Sequence, residues 1–354
     1  MAEAIQRIQA LLKKRRIQAI LITNIYNVRY LTGFTGSSGF CLITKDRAIF
    51  FTDFRYTEQA EQEVEGWELA TEKGKRIDTL KKALRAMDIS VLGFETTVSY
   101  EFFDLLQGLK IRAVACKDIV ESLRISKSEK EIHHIREAFR IAESAFMDIK
   151  GYIKAGVREL DIALRLESAL RKRGSQRAPF DIIVASGPNG SRPHATVTLR
   201  KIRAGDFVII DWGAQYRGYC ADITRTLLIR GNFTEKQMEI YNTVNEARKR
   251  AIMAVKIGTK AKEVDAAARQ YITQKGYGEH FGHGTGHGIG LQAHEAPWIN
   301  RLGHVRLSEG MTFTIEPGIY LRNTGGVRIE DTVAIVNGKG EVLNSLPTAL
   351  EIVG

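Results

Sequence analysis

Ile5, Ile8, Leu11 and Leu12 recur at helical spacing near the start of the chain, with charged residues between them. That pattern predicts an amphipathic helix. "AILIT" follows directly, short and apolar as a buried strand is. "GFCLIT" and "AIFFTD" come next, separated by a polar turn at Lys45 and Asp46, and predict a hairpin. "WELAT", "VLGFE" and "IRAVAC" predict further short strands, set apart by helical stretches such as "RIDTLKKALRAM". The alternation runs to about residue 122 and predicts an α/β domain with a mostly continuous sheet. It contains no GxGxxG or Walker glycine pattern, so a nucleotide-binding reading has no phosphate loop.

The pattern changes near Ser128. Ser128 and Glu131 have capping-box spacing, and Ile132, Ile135, Ala138, Ala142, Ala145 and Ile149 follow at helical period. No Pro- or Gly-rich linker separates the two regions. The second region repeats itself. "IKAGVRELDIALRLESALRKRG" lies over "VKIGTKAKEVDAAARQYITQKG" without a gap, so Gly156 meets Gly258 and Gly174 meets Gly276. Downstream, "AGDFVIIDWG" lies over "EGMTFTIEPG", and "CADITRT" resembles "VRIEDT". Asp211 thereby meets Glu316, and Asp222 meets Glu330. Each half reads as two helices and then a strand pair whose inner strands each carry one carboxylate. Two such halves about a pseudo-twofold axis predict one curved sheet with helices on its convex face and four carboxylates at the middle.

Composition narrows the function only a little. At 354 residues, 44% hydrophobic and 26% charged, the chain reads as an ordinary soluble protein of two domains. No apolar run has the length of a signal peptide or a membrane span, so no membrane partner is expected. Cys41, Cys116 and Cys220 are scattered and odd in number, which fits a reducing cytoplasm better than a disulfide framework. The net charge of +11 is spread along helices where Lys and Arg interleave with Glu, as in "KSEKEIHHIREAFR". Solvated helix faces account for that, and no nucleic-acid partner is expected.

The chemistry lies in the duplicated acids. Asp211 ends "FVIID" and Glu316 ends "TFTIE", and an ionised carboxylate left uncompensated there would cost several kcal/mol, on the order of a buried unpaired charge. A single strand-end acid usually faces solvent; four in two duplicated pairs need cations or protons between them. Two divalent ions carry the matching charge. The segment "HFGHGTGHGIGLQAHEAP", with four histidines and five glycines in eighteen residues, then reads as a wall of that site. Its glycines allow close backbone approach, and one imidazole among hard carboxylate oxygens favours Mn, Co, Fe or Zn over Ca or Mg.

"DWGAQYRGYCADITRT", "HGTGHGIGLQAHEAP", "TIEPGIY" and "GGVRIEDT" stand in one order along the chain, and with them it resembles the pita-bread metallopeptidases, in particular the Xaa-Pro aminopeptidases (aminopeptidase P) and the prolidases. The resemblance implies an α/β creatinase-like N-terminal domain over residues 1–122 and a duplicated α+β pita-bread catalytic domain over 123–354. Carried over by position, it implies Asp211, Asp222, His287, Glu316 and Glu330 as ligands of two divalent ions, most often Mn, with Asp222 and Glu330 bridging. Glu316 would also act as general base. His194 in "SRPHA", His283 and His294 match the family's non-ligand histidines, which hold the substrate carbonyl and the developing charge. Arg328 matches an arginine that keeps the carboxylates ionised and oriented.

The resemblance further implies a homodimer and proline-containing peptide substrates. Among activities, an exopeptidase removing one residue before proline, aminopeptidase P, is the expected one; a prolidase limited to Xaa-Pro dipeptides is the alternative. Prolidases place an arginine just after the HExP tetrad to bind the dipeptide's carboxylate; "HEAPWINR" has Trp298 there, with Arg301 close by. The first 120 residues count against a methionine aminopeptidase, and the complete set of ligands counts against a non-catalytic binding module.

Overall fold

The computed structural model describes residues 2–354 and divides into two compact units, one ending at Arg124 and one spanning Ile125–Gly354.

In the first unit, strands β1 (Ala19–Ile22), β2 (Phe40–Thr44), β3 (Ala48–Thr52), β4 (Glu68–Thr71), β5 (Val91–Glu95) and β6 (Arg112–Cys116) form one sheet in the order β4-β3-β2-β1-β5-β6. Helices α1 (Ala2–Arg15), α2 (Ile25–Thr32), α3 (Thr57–Glu63), α4 (Arg76–Ala86), α5 (Tyr100–Gln107) and the single turn α6 (Glu121–Arg124) accompany it. The continuous apolar runs have a simple cause. Ile20, Ile22, Cys41, Ile43 and Phe50 enter one core, while Ala19, Leu21, Phe40, Leu42 and Phe51 enter another. Successive side chains leave a strand on opposite faces, so a sheet covered on both sides needs apolar residues at every position.

The second unit opens with α7 (Glu129–Ile149), whose Ser128–Glu131 capping box is formed in both directions. Helix α8 (Glu159–Lys172) packs on α7; α9 (Glu235–Met253) and α10 (Ala261–Gln274) form the matching pair. Helices α8 and α10 are offset by 102 residues at both ends (261 − 159 and 274 − 172). The flanking glycines Gly156, Gly174, Gly258 and Gly276 all take positive φ, and Arg158 and Lys260 each make an isolated bridge to a later segment. The repeat in the sequence is thus a repeat of the backbone.

The strands are β7 (Ile183–Ser186), β8 (Phe207–Trp212), the small ribbon β9 (Gln215–Tyr216) and β10 (Tyr219–Cys220), and β11 (Ile223–Ile229) in the first half. The second half has β12 (Gly286–Gly288), β13 (Glu295–Ile299), β14 (Thr312–Ile315), the hairpin β15 (Gly318–Leu321) and β16 (Gly325–Arg328), β17 (Asp331–Val336) and β18 (Lys339–Val342), with β19 (Ile352–Val353) returning to pair with β11. Antiparallel pairs β8–β11 and β14–β17 are the equivalent centres.

The strands form a four-stranded and a five-stranded sheet with the hairpin beside them, where one curved sheet was expected. The ladder is interrupted between β11 and the second half. Side chains and single backbone bonds replace it there: Thr226 Oγ1 donates to Arg328 O (2.8 Å) and accepts from Arg328 N (3.1 Å), and Glu330 N donates to Thr224 O (3.1 Å). Each half keeps its own core: α7 and α8 pack with Val208, Ile210 and Trp212, and α9 and α10 with Phe313 and Ile315. Alternation then sends Asp211 and Glu316 away from the helices. Among the described residues no helix is long and apolar enough to cross a membrane.

Candidate metal centre

Asp211 is the fifth residue of β8, Asp222 immediately precedes β11, Glu316 follows β14, and Glu330 precedes β17. His287 is the middle residue of β12, beside β14. Ligand atoms of Asp211, Asp222 and Glu330 lie within 4.8 Å of one another, as do those of His287, Glu316 and Glu330. The two groups share Glu330. A third group within the same limit joins Asp222 and His287 to His294.

The glycines of the histidine-rich segment have a steric reason. A Cβ on Gly286 would sit 1.8 Å from Thr314 O, and one on Gly288 would sit 2.1 Å from Ala296 O. Side chains there would push β12 off both neighbours and carry His287 with it. Thr314 completes the alignment: its Oγ1 accepts from His287 N (3.1 Å) and donates to Glu316 Oε1 (3.2 Å).

Four carboxylates in so small a space disturb one another. Burial, and then the charge of Glu330, push Asp222 well above the usual carboxylate range. Burial, and then the charge of Glu316, do the same to Glu330. Asp211 is raised by burial, with Arg328 opposing. Glu316 goes the other way. Burial works against its charge, but His287, with Nε2 at 3.3 Å from Oε1, and further cations hold it down at about 2. The same contact, against burial, raises His287.

Arg328 is the buried cation of the cluster. Its Nη2 donates to Asp211 Oδ2 (2.6 Å), its Nε to Thr224 Oγ1 (3.1 Å) and its Nη1 to Tyr320 Oη (2.9 Å) and Pro193 O (3.1 Å). One guanidinium cannot balance four acids, and Asp211 Oδ1 is buried with no hydrogen-bond partner. A buried carboxylate oxygen left without a donor, amid protonation-prone neighbours and one imidazole, is what a divalent cation satisfies. The donor set fits such ions.

His283 Nε2 lies 2.9 Å from Tyr320 Oη, and burial lowers its pKa. His294 is exposed, with its ring 4.2 Å from that of His287, and partial burial followed by the charge of His287 lowers it. His194 is exposed, and its charge bears on both His283 and His294. Trp298 is half exposed, its ring 6.5 Å from that of His287. Arg301 is exposed and lines a separate pocket with Lys262, Arg269 and Gln270, to which none of the four carboxylates contributes.

Sequence reasoning passed over Tyr320, Thr224 and Thr314. Tyr320 stood in the quoted "TIEPGIY", four residues after Glu316; buried, with its pKa pushed up to about 12 chiefly by burial, it joins Arg328 to His283.

The sequence matches the model of metallopeptidase family M24 over residues 133–337 and that of the creatinase/prolidase N-terminal domain over residues 5–126. It is 40% identical to a Xaa-Pro dipeptidase of Pyrococcus horikoshii, over 95% of each chain. Among solved structures, a Xaa-Pro dipeptidase from Bacillus anthracis is 42% identical with a TM-score of 0.96, and an X-Pro aminopeptidase from Thermotoga maritima is 38% identical with a TM-score of 0.90; both alignments cover 99% of each chain. These likenesses back the dipeptidase alternative better than the aminopeptidase P expectation. The aminopeptidase expectation rests on Trp298 standing where prolidases place an arginine, one position read alone.

Proposed function

This chain belongs to metallopeptidase family M24, a metal-dependent peptidase, and on that premise we propose that it is a Xaa-Pro dipeptidase of the prolidase type. The substrate reading is supported by the likeness to dipeptidases at 40% and 42% identity. The single observation that carries the chemistry is the buried, partnerless Asp211 Oδ1 inside a cluster of four acids. Asp211, Asp222, His287, Glu316 and Glu330 hold two divalent ions, with Mn favoured and Co, Fe or Zn accepted. Asp222 and Glu330 would each serve both ions.

Bound there, the ions supply Lewis acidity toward the scissile carbonyl and lower the pKa of a water. Glu316 would take the proton of the attacking water as general base. We assign His283, His294 and His194 to the carbonyl and the charge that develops on it; burial favours the neutral form of the first two, and neutral His294 can donate one N–H, while neutral His283 gives its Nδ1–H to Gly284 O and leaves Nε2 as an acceptor toward Tyr320 Oη. Arg328 orients Asp211 by donating to its Oδ2 and favours its charged form against burial. The bond before proline is a tertiary amide without N–H, so a site that reads the carbonyl instead of the N–H suits it. We place the enzyme in the cytoplasm as a homodimer, in keeping with three scattered, buried cysteines and the family resemblance.

Side-by-side kinetics on an Xaa-Pro dipeptide and the matching Xaa-Pro-Yaa tripeptide, with Mn or Co supplied, test the reading. The dipeptide should be cleaved at least as well. A clear tripeptide preference would establish the aminopeptidase reading, which Trp298 in place of arginine favours.

A further inference from the structure

His283 sits on an irregular segment between α10 and β12, where no strand ladder fixes its height. Two residues of α10 do so instead. Asp265 and Arg269, one helical turn apart and buried, pair through Nε–Oδ2 (2.8 Å) and Nη2–Oδ1 (2.7 Å). From that pair, Arg269 Nη1 donates to Phe281 O (2.9 Å) and Nη2 to His283 O (2.7 Å). Asp265 Oδ1 accepts from Thr285 N (3.1 Å) and Thr285 Oγ1 (2.8 Å). The guanidinium also lies 4.1 Å from the Phe281 ring centroid. Three backbone groups in five residues are therefore held by one ion pair. Beyond the segment, Thr285 O accepts from Glu316 N (2.7 Å), and His283 Nε2 meets Tyr320 Oη.

We propose that Asp265 and Arg269 are positioning residues, which set the place of the His283 imidazole and so govern turnover without touching substrate. The proposal rests on the dipeptidase reading for its kinetic readout. A rigid fork reaching two carbonyls is a geometric device that an ammonium cannot copy, because Lys has one donor centre at the end of a flexible stem. A charge-preserving Arg269→Lys therefore keeps the partner of Asp265 and loses the double tether. Misplacement of a catalytic group by about 1 Å can lower rate roughly 100-fold.

Arg269→Lys should lower kcat for Xaa-Pro by about 10- to 100-fold, with KM and metal per chain within about twofold of wild type. The same change made in a His283→Ala background should lower kcat less than about twofold, because the group it positions is gone. NMR of the metal-free protein should show the His283 ring signals displaced in Arg269→Lys and unmoved in Ile272→Ala, a core variant of the same helix that lowers Tm. Equal losses in both backgrounds, kcat falling in step with lost metal, or unmoved His283 signals would overturn the proposal. If Arg269→Lys does not fold, Thr285→Val removes one tether and leaves the pair, and it faces the same test of non-additivity. If the wild type does not cleave Xaa-Pro at all, the substrate reading fails, and the NMR comparison alone decides the anchor.

Discussion

Helices α8 and α10 occupy equivalent places in the two halves of the second unit, and each ties down a histidine-bearing segment with a buried acid. On α8, Glu159 accepts from Ser186 N and Oγ, Asn189 Nδ2, and Thr198 N and Oγ1, closing the stretch that carries His194. On α10, Asp265 works with Arg269 on the stretch that carries His283. The first anchor uses neutral donors alone; the second uses an ion pair. The acids at the centre differ in the same way. Aspartates come from the first half and longer glutamates from the second, which also supplies His287 and sends Arg328 across to Asp211. Duplication of the backbone gives the count of charges. Divergence of the side chains sets the acids apart: without metal, Glu316 is held ionised while burial and neighbouring charges push Asp222 and Glu330 toward protonation.

The largest test of that comparison removes one acid from each half. Asp222→Asn and Glu330→Gln should each abolish turnover and weaken metal loading in a protein that still folds, because the two occupy equivalent shared positions. Full activity in either variant, measured with metal analysis, would remove its bridging role. His294→Ala should lower kcat by roughly 10²–10³-fold, the scale of losing one donor to developing charge, while metal content stays near wild type. Loss of metal in step with activity would instead make His294 a ligand, as its grouping with Asp222 and His287 permits, and would put His287 in question.

A pH series sharpens the electrostatic side. Asp222 and Glu330 have folded-state pKa values above their unfolded ones, so in metal-free protein they favour the fold below the unfolded value, about 4, and that contribution is lost as pH rises through the folded values. Thermal unfolding with and without Mn should therefore show a gain from metal that grows between pH 5 and pH 8, approaching about 2.7 kcal/mol for each ion at a hundredfold excess over its Kd. A gain independent of pH would mean that these acids are not the ligands. The smallest effect is expected at Trp298. Trp298→Arg should improve the dipeptide over the tripeptide by up to about tenfold, the low end of a charge-assisted pair of roughly 1.5–3 kcal/mol.

Much of this was legible in the chain before its structure. The Ser128–Glu131 capping box, the hairpin at Lys45 and Asp46, and the repeat that makes α8 and α10 equal in length are local patterns, and local patterns survive folding. The paired acids were legible because duplication made them recur at matched strand ends. The anchors were not. Glu159 reads as an ordinary first-turn acid of a helix and Asp265–Arg269 as a solvated i, i+4 pair; only their long-range partners reveal them as buried. Tyr320 carried no signal beyond its place in "TIEPGIY", and the interruption between the two sheets is written in side-chain bonds from Thr224 and Thr226 that no periodicity announces.

Both halves together are proposed to build one two-ion site that hydrolyses Xaa-Pro. The most direct test of that proposal is turnover of an Xaa-Pro dipeptide by metal-free protein as Mn is added in known equivalents. Turnover should be absent without metal and should rise to saturation at two equivalents per chain. Saturation at one equivalent, or no turnover at any, would contradict it.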